Sequence, residues 1–171
     1  MNRYQKMFDR LGVEQSGAFV PFTVLGDPDP ETSLAVVRQL AASGADALEL
    51  GLPFSDPVAD GPVVQAASTR ALAAGVRQEA CWAIVELIRD EYPDLPIGLL
   101  VYANLVMHQD VNRFYARAAE AGVDSVLVAD APLLEGDAMA AAARAHRLAP
   151  VYIPPPNADD ARLASIARES E

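Results

Sequence analysis

Five runs of mostly apolar residues punctuate the chain: "AFVPFTVL" (18–25), "ALELG" (47–51), "IGLLVY" (97–102), "SVLVAD" (125–130) and "PVYI" (150–153). Longer segments with apolar residues at helical spacing fill the intervals. Near-continuous apolar runs are what parallel strands covered on both faces require, and a β-then-α rhythm implies a mainly parallel sheet flanked by helices. In "DPDPETSLAVVRQLAASG", Asp29 is placed to cap a helix, Pro30 fits its first turn and Gly44 its left-handed end. "ARAAEAG" ends the same way at Gly122, and in "IPPPNADDARL" Asn157 is expected to cap a last helix with Asp159 and Asp160 in its first turn. Tyr4, Met7, Phe8 and Leu11 fall on one face of an N-terminal helix, which is expected to plug one end of the sheet.

A weak internal repeat supports the rhythm. "SGADALEL" and "AGVDSVLV" share the order small, Gly, x, Asp, small, aliphatic, x, aliphatic, and their glycines lie 78 positions apart, two units of about 39 residues. Counted from Phe19 to Val151 the units average about 33 residues, so eight would need about 264, the size of a (β/α)8 barrel. On the residues alone, five strands in 171 residues favour an open doubly wound sheet of the flavodoxin type. No linker or low-complexity stretch divides the chain, so residues 1–171 are expected to form a single domain.

Composition narrows the function classes. Thirteen Lys and Arg against 24 Asp and Glu give a net charge of -11, which opposes the phosphate neutralisation that nucleic-acid binding depends on and disfavours an anionic membrane. The longest apolar run, Ile97 to Met107, is interrupted by Asn104 and too short to span a bilayer, so a cytoplasmic protein is expected. Cys81, the single cysteine, sits in "EACWAIV" as part of a packed helix face. The only lysine, Lys6, lies on the N-terminal helix, which argues against a Schiff base at a strand end. His108 and His146 are isolated surface positions, too few for a metal site, and no Gly-rich nucleotide loop occurs.

Carboxylates remain. Alternation in "ALELG" puts Glu49 on one face with Ala47 and Gly51, opposite Leu48 and Leu50. The same alternation sends Phe22, Leu100, Tyr102, Leu127, Ala129 and Ile153 to that inner side, an apolar chamber holding one acid. Desolvation there would raise the Glu49 pKa toward a range where it both donates and accepts a proton. A structural role, capping a neighbouring strand or meeting an arginine, stays open on pattern alone. Asp56 and Asp60 follow in a loop with Pro53, Pro57, Gly61 and Pro62; turn chemistry accounts for Asp56, and Asp60 is evenly placed between turn and chemistry.

"GAFVPFTVLGDP", "GADALELGLPFSDPVADGPVVQAA", "IGLLVYANLV", "AGVDSVLVADAP" and "PPNADD" together resemble the tryptophan synthase α family, collinearly from about Arg3 to Arg168. The block from Glu49 to Gln65 is the most specific part. The resemblance implies a (β/α)8 fold, here its first five βα units, the N-terminal two-thirds of a TIM barrel. It also implies a lyase that cleaves indole-3-glycerol phosphate to indole and glyceraldehyde 3-phosphate without a cofactor, and a partner β subunit carrying pyridoxal phosphate in an α2β2 complex.

By motif, Glu49 resembles the family's general acid and base at indole C3 and the glycerol hydroxyl. Asp60 resembles the carboxylate that accepts the indole N–H and stays ionised. Phe22, Leu100, Tyr102, Leu127, Ala129 and Ile153 match its indole pocket; Phe54, Asp56, Pro57 and Asn104 match its β-subunit surface. The chain stops at "IARESE", within the family's fifth helix, while that family's phosphate-holding loops come from later units. A truncated piece of little activity by itself is therefore expected. Two other readings stand beside it: a non-catalytic binding or regulatory partner of the β subunit, and another phosphate-handling barrel enzyme.

Overall fold

The computed structural model describes residues 2–108, 110–132 and 136–170. Helix α1 (Arg3–Glu14) opens the chain, followed by β1 (Phe22–Val24), α2 (Pro30–Ala42) and β2 (Leu48–Gly51). Two helices, α3 (Pro62–Ala73) and α4 (Gln78–Glu91), lead to β3 (Ile97–Val101), and two more, α5 (Ala103–Met107) and α6 (Val111–Glu120), to β4 (Ser125–Val128). The described elements finish with α7 (Asp137–Ala145), β5 (Ala149–Val151) and α8 (Asp160–Glu169).

The five strands form one parallel sheet in the order β1-β2-β3-β4-β5. Sequential order is the progression of a (β/α)8 barrel; a flavodoxin-type sheet reverses direction at β1, so that alternative is set aside. Where the helices pack separates the two faces of the sheet. Leu48, Leu50, Ile97, Leu99, Val101 and Val126 join the core built by α2, α4, α6 and α7. The inner-face residues Phe22, Glu49, Leu100 and Leu127 are not in that core. The fold is therefore a single-walled arc of five βα units with its helices outside.

Local chemistry explains the element ends. Asp29 caps α2 by accepting the Thr32 N–H at 2.9 Å, with Pro30 in the first turn. Gly44 and Gly122 take φ of 91° and 87°, the left-handed region that glycine enters at least cost. The strands are shorter than their apolar runs. β1 begins at Phe22 rather than near Phe19, because Pro21 offers no N–H to a ladder and Phe19 and Val20 are about half-exposed. Asp159, not Asn157, caps α8, accepting the Arg162 N–H at 2.8 Å. On α1, Tyr4, Met7 and Leu11 pack beneath the sheet with Ala47, whereas Phe8 points outward and is 59% exposed.

Candidate active site

Register places one residue of each strand on a common inner level: Phe22 pairs with Glu49, Glu49 with Gly98, Gly98 with Ser125, and Ser125 with Ala149. Two residues further along, Gly51, Leu100 and Leu127 form the next inner level toward the C-terminal strand ends. The Phe22 ring lies across Gly51, where an added Cβ would come within 2.9 Å of it. Glycine at 51 is thus what lets an aromatic ring lie beside the acid.

Below Glu49 the floor is polar. The Tyr4 and Ser125 hydroxyls are 2.9 Å apart, and a Cβ on Gly98 would stand 2.8 Å from the serine oxygen and 3.0 Å from the tyrosine oxygen. Burial pushes the Tyr4 pKa up to about 12, with the Asp124 and Glu49 charges adding, so Tyr4 stays a neutral donor near the Glu49 carboxylate. Period and spacing mark Tyr4 only as part of a plug. Ser125 has the parity of Leu127, and that was its one signal in the sequence.

Glu49 is half-buried, and among the described residues no ion pair or hydrogen bond to its side chain is found. Its pKa is raised by desolvation. The structural alternative needed an arginine or a strand cap. The arginines at the strand starts have other partners: Arg10 pairs with Asp46, and Arg3 and Arg89 with Asp124.

Asp60 lies beyond β2, in the loop that ends at the Gly61 N-cap of α3. Its N–H donates to the Pro57 carbonyl at 3.0 Å, and Gln65 Nε2 donates to its carbonyl at 2.9 Å. Tyr102 is the N-cap of α5 rather than the last residue of β3, and its hydroxyl accepts the Ala59 N–H at 3.0 Å. Burial raises the Tyr102 pKa; the Ala59 bond opposes this, and the Asp60 charge adds to it. The Asp60 carboxylate therefore stands beside a residue that shares the inward parity of Leu100.

The apolar wall is less closed than alternation implies. Leu127 is buried, while Phe22, Leu100 and Ala129 are partly exposed. Ile153 lies past the end of β5 and is 62% exposed, so among the described residues it does not enclose the chamber. Phe54 stacks on Tyr102 at 5.1 Å and, with Asn104, lines a groove of about 740 Å³ bounded also by Leu105, Met107 and Val76. Asp56 is exposed beside Ser55, and Pro57 is half-buried; neither lines that groove. His108 and His146 stand at the C-terminal ends of α5 and α7.

Comparison with known proteins gives this geometry a lineage. Residues 8–171 match the family model described as tryptophan synthase alpha chain. The tryptophan synthase alpha chain of Pectobacterium atrosepticum is 58% identical over 167 residues, covering 98% of this chain and 62% of the relative. That of Edwardsiella ictaluri is 54% identical over 171 residues, covering 100% and 64%. Among solved structures, tryptophan synthase subunit alpha of Legionella pneumophila superposes with a TM-score of 0.94 at 34% identity, over 100% of this chain and 65% of that one. A chain from the tryptophan synthase α2β2 complex of Pyrococcus furiosus does so at 0.85 and 35% identity, over 90% and 63%. The chain thus spans a little over three-fifths of the length of the curated relatives it matches. With sequence, fold and register in agreement, the chain belongs to the tryptophan synthase alpha chain family.

Proposed function

We propose that the chain supplies the acid–base half of a retro-aldol lyase, cleaving indole-3-glycerol phosphate to indole and glyceraldehyde 3-phosphate in tryptophan biosynthesis. One observation carries the reading: a half-buried glutamate with no ion pair among the described residues, raised in pKa by desolvation, on the inner face of an arc of parallel strands. Desolvation moves such a carboxyl from the ordinary acid range toward one in which it both donates and accepts a proton. Glu49 protonates indole C3 and helps take the proton from the glycerol hydroxyl as the carbon–carbon bond breaks. Protonation at C3 spreads positive charge to the ring nitrogen, and the Asp60 carboxylate, accepting the indole N–H, stabilises that charge where it develops. Two carboxylates in unlike environments divide the roles.

Phe22, Leu100, Leu127 and Ala129 face the indole ring, with Ile153 joining them once further units close the wall. The substrate phosphate falls to those further units, which the relatives' greater length provides for. The groove beside Phe54 and Asn104, with Asp56 and Pro57 on the adjoining loop, is the surface for the β subunit, which holds the pyridoxal phosphate; the α chain works without one. No helix among the described residues is long and apolar enough to cross a membrane, in keeping with a cytoplasmic enzyme.

Indole release from indole-3-glycerol phosphate tests the reading, with the later βα units and a β subunit present. Glu49→Gln is expected to abolish release while leaving β-subunit binding intact; retained release excludes Glu49 as the proton carrier. The strand edges left unpaired in this arc, β1 and β5, favour a second reading as a binding partner only. In that case Glu49→Gln has no phenotype.

A further inference from the structure

The proton transfers above leave the Tyr102 hydroxyl without a task, although Tyr102 is among the largest fully buried side chains, at 2% exposure. Its ring is held by the stack on Phe54, and its oxygen accepts the Ala59 N–H at 3.0 Å. Ala59 directly precedes Asp60, whose own N–H and carbonyl are bonded at 3.0 Å and 2.9 Å. Three backbone groups at Ala59 and Asp60 are therefore fixed, and Tyr102 supplies the only one of the three bonds that comes from outside the loop and α3. A phenol suits the task because its oxygen can accept from the amide while its O–H is free to turn toward a carboxylate.

We propose that Tyr102 is a positioning residue: its hydroxyl fixes the Ala59–Asp60 backbone and thereby aims the Asp60 carboxylate over the inner face of the sheet. This rests on the lyase reading only in taking Asp60 as the group that meets the indole nitrogen. Tyr102→Phe keeps the ring, its volume and its stack on Phe54 and removes the oxygen alone.

Two measurements test it. Amide hydrogen exchange in Tyr102→Phe is expected to show Ala59 exchanging about tenfold faster or more, with Leu99 and Val101 unchanged, since one ordinary hydrogen bond is lost locally. In indole release, Tyr102→Phe is expected to lower kcat/KM about tenfold and to cost nothing further in an Asp60→Asn background, where there is no carboxylate left to aim. Unchanged exchange at Ala59, or the same fold loss in both backgrounds, overturns the proposal. These rates are read with the later βα units and a β subunit supplied; a wild-type protein that releases no indole under those conditions refutes the lyase reading instead, and the Ala59 exchange then decides the role of Tyr102 alone.

Discussion

At the scale of residues, burial without a partner sets the chemistry. A carboxyl whose pKa is raised in the folded state, as that of Glu49 is by desolvation, binds its proton more tightly folded than unfolded. Its ionisation therefore costs stability as pH rises past the ordinary value of 4.5, and the cost is absent below that value. Glu49→Gln is accordingly expected to raise the unfolding midpoint by a few degrees at pH 7 and to lose the advantage at pH 4, as read by calorimetry. A variant less stable than wild type at pH 7 would contradict this. Cys81 shows the same physics without function: burial pushes its thiol up to about 12, leaving almost no thiolate at neutral pH. A thiol reagent should leave it untouched in the native state and modify it only as fast as the protein unfolds.

At the scale of elements, the internal repeat proves to be a clamp. Asp46, just before β2, donates its N–H to the Phe19 carbonyl at 2.8 Å and accepts the Phe19 N–H at 2.7 Å. Asp124, just before β4, does the same to Ile97, at 2.8 Å for both bonds. Asp124 thus ties the start of β4 to the start of β3, and Asp46 ties the start of β2 to the segment leading into β1. Arginines neutralise both: Arg10 at Asp46, and Arg89 at 2.7 Å and Arg3 at 2.8 Å at Asp124. The Arg89–Asp124 pair is nearly dry, at 11% and 9% side-chain exposure, whereas Arg10 is 47% exposed. Asp124→Ala should therefore cost about 3–5 kcal/mol in urea unfolding, since it strands a buried guanidinium. Asp46→Ala should cost clearly less, and equal costs would contradict the clamp's dependence on burial.

The β–α rhythm, the Asp29 cap and the glycine ends were legible because each rests on a local rule. The clamp was not, because its partners lie 27 positions away, a distance that periodicity does not encode. The same limit hid the Tyr102–Ala59 bond, 43 positions apart, so that Tyr102 read as plain apolar lining. Phe8 is exposed because helical spacing assigns a face and says nothing of whether anything covers it, and the exposure of Ile153 shows the same limit of strand alternation.

At the scale of the whole molecule, five βα units make an arc whose inner face and two strand edges are open. Half-exposed Phe19 and Val20 lead into β1 and Ile153 lies beyond β5, apolar surface suited to further units of the same barrel. Residues 1–171 prepared by themselves are expected to associate with rising concentration in sedimentation velocity and to release almost no indole. Supplying the later family units should suppress the first and restore the second; robust turnover by residues 1–171 alone would show that the arc needs no closure. What the arc must already do unaided is shield Glu49 in part from water. The carboxyl carbon shift of Glu49, followed by NMR through a pH titration, measures this most directly. A midpoint above 4.5 is the expected result, and one at or below it would contradict the assignment of Glu49 as the proton carrier.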